Sequence, residues 1–112
     1  MIPIRRPAKG SPLLIPEQSE ADFQRQVIAY AELNGFRIYH TYDSRRSAAG
    51  YPDLTLIHPA HGCIWIELKT LSGKLSPAQE EWQQALRAAG QRTFVFRPCD
   101  WQLIETALGG KR

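Results

Sequence analysis

The seventeen residues from Asp53 to Lys69 constrain the fold more than any other part of this chain. They read Asp-Leu-Thr-Leu-Ile, then His-Pro-Ala-His-Gly, then Cys-Ile-Trp-Ile-Glu-Leu-Lys. The flanks are rich in strand-forming residues and the middle is punctuated by Pro59 and Gly62, so an antiparallel hairpin is expected. With the turn centred on Ala60, residues whose numbers sum to about 120 face each other across the pair. Leu54, Leu56, Ile64, Ile66 and Leu68 then share one face. Asp53, Trp65, Glu67 and Lys69 share the other. A slip of one residue would bury the charges and expose the leucines and isoleucines, so the register is strongly determined.

Other elements follow around this hairpin. Ser19 is a good N-cap, Asp22 stands where a capping-box acid belongs, and Phe23, Val27, Tyr30 and Ala31 recur at helical spacing up to Gly35. Phe36 to Tyr42 reads as a strand, and Asp43 to Tyr51 as a loop. Ser76-Pro77-x-Gln79 opens a second helix by the capping-box pattern. Trp82, Ala85, Leu86 and Ala89 are its expected inner stripe. Thr93 to Arg97 is a fourth strand, and Asp100 caps a last short helix through about Leu108. The order α-β-β-β-α-β-α is an α/β fold, a mixed four-stranded sheet flanked by helices.

At 112 residues the chain suits one domain. Residues 1–18 hold five prolines or glycines and no periodicity, so they are expected to form a proline-rich basic arm; 19–108 form the folded domain and 109–112 a basic tail. No apolar run approaches the length of about 20 residues that spans a bilayer. The N-terminus lacks the apolar core of a signal peptide, which makes a cytoplasmic location the expectation. Cys63 and Cys99 read as small buried hydrophobes, and His58-x-x-His61-x-Cys63 fits no standard zinc spacing. The net charge of +3 permits a polyanionic partner without identifying one.

The hairpin is where chemistry enters. Adjacent carboxylates repel, and without a partner one is pushed toward protonation. A hard divalent cation such as Mg²⁺ or Mn²⁺ relieves this with oxygen ligands, and Lys69 can orient water or stabilise charge on a phosphate. A structural ion pair between Lys69 and Glu67 or Asp53 is the competing account, since such pairs are common on strands. Glu20 points toward the protein body, where it is either a site residue or an acid favoured by the helix dipole. Arg45 and Arg46 suit phosphate positioning in a loop, or are ordinary solvated charges. His40, Tyr42 and Tyr51 are candidates to line a cleft or to pack, and Trp65 to wall the site or pack beneath the first helix.

Gly50-Tyr51-Pro52-Asp53 followed by Glu67-Leu68-Lys69 resembles the PD-(D/E)XK nuclease motif. More closely, five ordered elements resemble the VRR-NUC family of restriction-endonuclease-like nucleases. They are Glu20 ahead of Phe23-Gln24, Ser44-Arg45-Arg46-Ser47, Gly50-x-Pro52-Asp53-Leu54, Glu67-Leu68-Lys69-Thr70, and Gln79-x-x-Trp82. The likeness runs from about Ser19 to Trp101.

The resemblance implies that Asp53 and Glu67 are metal ligands, with the Leu68 carbonyl and, often through water, Glu20 completing the shell. It implies that Lys69 orients the attacking water and that Gln79 faces the site, although a capping-box role competes for the same side chain. It further implies hydrolysis of phosphodiesters in branched or structured DNA, of Holliday-junction or flap type, by a homodimer. Trp101, Leu103, Ile104 and the arm are the candidate interface. The alternatives are a non-catalytic nucleic-acid-binding protein on the same fold, or a generic interaction domain. The intact Asp53, Glu67 and Lys69 set argues against the first, because a binder has no use for paired carboxylates facing phosphate, and metal titration separates all three.

Overall fold

The hairpin forms in the expected register. In the computed structural model, which describes residues 18–42 and 48–109, strand β2 (Leu54–His58) pairs antiparallel with β3 (Gly62–Leu68), Leu54 opposite Ile66 and Leu56 opposite Ile64. His58 steadies the turn by accepting the Ala60 N–H on Nδ1 at 2.9 Å. Strand β1 (Arg37–His40) adds antiparallel to β2, and β4 (Arg92–Phe96) adds parallel to β3. The sheet order is β1-β2-β3-β4.

Helix α1 (Glu20–Leu33) starts where Ser19 accepts the Asp22 N–H, and ends at Gly35, whose φ of 87° favours glycine. The Asp22 carboxylate takes Arg25 as its partner. A short 3-10 turn (Pro98–Asp100) leads into α3 (Trp101–Gly109). Asp100 caps that turn by accepting the Arg97 N–H at 2.9 Å.

Helices α1 and α3 cover one face of the sheet. Phe23, Val27 and Ala31 pack with Ile104 and Leu108 over Leu54, Leu56, Ile64, Ile66 and Leu68, and all of these are fully buried. This apolar layer supplies the burial that holds the fold, at about 1.5–3 kcal/mol for each large side chain.

Helix α2 (Pro77–Ala88) packs on β4 and reaches Glu67 of β3 on the other face. Its inner side differs from the expected stripe, since the buried residues are Gln83 and Leu86, while Ala85 and Ala89 are exposed. The sheet explains this. On that face the helix meets Thr93 and Glu67, which are polar, so polar residues turn inward: Thr93 Oγ1 and Gln83 Oε1 are hydrogen-bonded at 2.9 Å. Trp65 lies on this face too, not beneath α1, and its Nε1 donates to the Tyr51 hydroxyl at 3.0 Å.

Three smaller readings change. Strand β1 stops at His40 instead of continuing to Tyr42. Cys63 and Cys99 are half-buried instead of buried. Ile104 belongs to the core, leaving Leu103 as the exposed member of that pair. No described helix is long and apolar enough to cross a membrane.

Candidate active site

The carboxyl ends of β1 and β3, the start of β2, and the N-termini of α1 and α2 meet at one end of the sheet. Asp53 stands one residue before β2, so the hairpin register sets it opposite Glu67. There the ladder would run out, because Pro52 has no N–H to offer. The Asp53 side chain continues it, Oδ2 accepting the Leu68 N–H at 2.8 Å. Leu68 therefore turns its backbone polar edge toward β2, while the next residue turns to β4, the Lys69 N–H donating to the Phe96 carbonyl at 3.0 Å. From the other side, the Thr41 N–H donates to the Asp53 carbonyl and Thr41 Oγ1 to the Pro52 carbonyl, each at 2.9 Å.

Glu67 is sealed beneath α2 with only 2% of its surface exposed. Its Oε2 accepts from Gln79 Nε2 at 2.9 Å and lies 4.0 Å from Lys69 Nζ. Its Oε1 is buried, and the Glu67 side chain lies within hydrogen-bonding reach of the Asp53 carboxyl.

Gln79 serves the cap and the site together, which corrects the expectation that one side chain could hardly do both. Its amide has two ends. The carbonyl accepts the Ser76 N–H at 2.8 Å, closing the capping box, while the NH₂ reaches Glu67. The close seating of α2 depends on Gly50: a Cβ there would lie 2.4 Å from the Ala78 carbonyl carbon and oxygen, and its φ is +83°. Trp82 adds a bond from Nε1 to the Ala49 carbonyl at 3.0 Å, and an edge contact with Tyr51.

The electrostatics follow from this enclosure. Burial, reinforced by the Asp53 charge, pushes the Glu67 carboxyl up to about 8, against the lowering pull of Lys69. Burial also raises Asp53, opposed by the Leu68 N–H, Glu67, Lys69 and His40. Glu20 is raised by burial and then by Asp53, with Lys69 opposing. The Asp53–Glu67 pair thus holds a proton between its members unless a cation replaces it, and the more enclosed Glu67 keeps it.

Asp53 and Glu20, with the buried Glu67 behind Asp53, border a cavity of about 320 Å³ lined by Glu20, Gln24, His40, Tyr42, Asp53 and Gln79, among others; Glu67 itself is not in the lining. The VRR-NUC domain profile matches residues 5–98 of the chain. The chain belongs to the VRR-NUC family. Two solved structures share the fold. One described as a VRR_NUC domain has a TM-score of 0.67 at 21% identity, covering 83% of this chain and 97% of its own. Another, described as a VRR_NUC domain protein, has a TM-score of 0.64 at 24% identity, covering 80% of this chain and 85% of its own. Among curated proteins none matches the chain significantly. Membership makes this a nuclease-type domain, with DNA as the implied substrate.

Within this VRR-NUC domain, Asp53, Glu67, Lys69 and Gln79 come together as the sequence suggests, and Glu20 faces the same cavity. Arg45 and Arg46 lie outside the described residues. Among the described residues no three of His, Cys, Asp and Glu converge closely enough to hold an ion by themselves. The donors on offer are instead the two enclosed carboxylates, Asp53 and Glu67, and the backbone edge of Leu68, all oxygen. That composition fits a hard cation that keeps several waters, and does not fit zinc.

Motif reading places Gly50 without its role, which is the close approach to α2, and it misses two other participants. Gln83 matters for its buried bond to Thr93. Arg97 Nη1 clamps the loop after β3 through the carbonyls of Thr70 at 2.6 Å and Gly73 at 2.5 Å. The sequence signal for Arg97 was slight, a lone basic residue at the end of a strand.

Proposed function

We propose that this chain is a divalent-metal-dependent deoxyribonuclease acting on branched or otherwise structured DNA, with Asp53, Glu67, Lys69, Glu20 and Gln79 as its active-site residues. The observation that carries the reading is the facing pair of enclosed carboxylates, Asp53 and the 2%-exposed Glu67, with Lys69 Nζ 4.0 Å from Glu67. Two enclosed carboxylates side by side cannot both ionise without a partner, and an ion shared between them satisfies both.

Asp53, Glu67 and the Leu68 carbonyl would hold Mg²⁺ or Mn²⁺, with Glu20 reaching the ion through water. The ion supplies Lewis-acid activation and neutralises charge on the phosphate. Lys69, held near Glu67, orients the attacking water and stabilises the developing phosphorane charge. Gln79 fixes the rotamer of Glu67. Water is the nucleophile and the 3′ oxygen leaves, with no covalent enzyme intermediate. Arg45 and Arg46 contact flanking phosphates.

Isothermal calorimetry with Mg²⁺ or Mn²⁺ alone tests the assignment. Wild-type protein binds the ion, and Glu67→Gln loses that binding while remaining folded. Lys69→Ala keeps binding and loses at least about a hundredfold in cleavage rate, the size of one transition-state contact. Undiminished binding by Glu67→Gln would remove Glu67 from the site. Loss of binding in Lys69→Ala, with its rate restored at saturating metal, would make Lys69 a structural partner only.

A further inference from the structure

The cavity has an aromatic lip that the chemistry above does not use. His40 ends β1 and Tyr42 follows two residues on; both line the same cavity as Glu20 and Asp53. Their rings are in contact, with centroids 4.3 Å apart and planes tilted by 47°. Tyr42 is nonetheless 85% exposed, so packing does not account for a large aromatic at this position.

The mounting of the pair supplies a second observation. Thr41, between the two rings, is bonded through its N–H to the Asp53 carbonyl and through its hydroxyl to the Pro52 carbonyl. Tyr42 thereby follows a residue hydrogen-bonded directly to the backbone that carries Asp53. A group stacked on its ring is indexed to the carboxylates. Tyr39, by contrast, pairs with Thr55 in the ladder and lies on the opposite face from His40.

We propose that His40 and Tyr42 form a stacking platform for an unpaired nucleobase beside the scissile phosphodiester, making the site selective for DNA with unpaired nucleotides next to the cut. The proposal rests on the nuclease reading. An unpaired base offers a π-face to the exposed Tyr42 ring, with His40 buttressing that ring from behind. A base inside an intact duplex is already stacked on both sides and gains nothing. The nucleotide bound here is therefore extruded, frayed or part of a single-stranded branch, and its phosphate lies toward Asp53 and Glu67.

The test is binding of fluorescein-labelled flap DNA and fully paired duplex, measured by anisotropy in EDTA so that no strand is cut. Tyr42→Ala weakens flap binding by roughly five- to a hundredfold, the range for one lost stacking contact, and leaves duplex binding unchanged. Tyr42→Phe, which keeps the ring, restores flap affinity. An abasic nucleotide, scanned across three positions on either side of the cut, reproduces the loss at one position in wild-type protein. It adds nothing further in Tyr42→Ala. Equal losses for flap and duplex, failure of Tyr42→Phe to restore, or additive abasic and Tyr42→Ala effects would each overturn the platform. A wild-type chain that cleaves yet shows no abasic penalty overturns the platform alone. One that shows the penalty but never cleaves with any divalent ion overturns the nuclease reading alone.

Discussion

Glu67 carries the tension in this molecule at the level of a single residue. Its carboxyl rises from 4.5 to about 8 because burial and Asp53 disfavour its charge. The folded state therefore holds a proton that the unfolded chain has released above the ordinary carboxylate range. The stability from this group is full below pH 4.5 and is lost as pH rises through about 8. Asp53 and Glu20 shift in the same direction. Metal-free wild-type protein should melt at a lower temperature at pH 9 than at pH 6, with Glu67→Gln much flatter across that window. Calorimetric melts in EDTA check this, and parallel curves for the two proteins would contradict it. The choice of substitution matters at Asp53, whose side chain holds the Leu68 N–H. Asp53→Asn keeps an acceptor, whereas Asp53→Ala leaves a backbone donor unmet, at a cost of about 1–3 kcal/mol.

Among the elements, the hairpin was legible in the sequence because period-two alternation and a short turn leave one register. The caps of α1 and α2 were legible because Ser19 and Ser76 stand ahead of periodic apolar residues. The inward face of α2 was not, because its stripe is defined by polar partners, Glu67 and Thr93, brought in by distant strands. For the same reason the two ends of the Gln79 amide could not be assigned: a cap is local, whereas Glu67 is twelve residues away. Gly50 shows what such tertiary contacts demand. Gly50→Ala places a methyl against the Ala78 backbone in a left-handed conformation, and should destabilise the domain by at least about 2 kcal/mol. It should also weaken metal binding, because α2 carries Gln79. Urea melts and a metal titration check both effects, and wild-type values in the two would show that α2 tolerates displacement.

The described part has two covered sheet faces and a cavity at the strand ends. On the proposed reading, cutting opposed strands of a junction calls for two sites in matching relation. A two-fold homodimer is the simplest arrangement that supplies them. Leu103 is the exposed candidate for its interface, since Ile104 is taken by the core and Trp101 packs edge-on against Tyr30. Sedimentation equilibrium at micromolar protein, with and without junction DNA, should give the dimer mass in at least one condition. A monomer in both that still makes paired, symmetric cuts would contradict the arrangement. The central claim is met most directly by one assay: purified protein against a panel of branched and linear DNAs with Mg²⁺, Mn²⁺ or EDTA, wild type beside Glu67→Gln. Cleavage of branched substrates with either ion, abolished by EDTA and by Glu67→Gln in a folded protein, is the predicted result. Cleavage by Glu67→Gln at near wild-type rate, or wild-type cleavage that persists in EDTA, would contradict it.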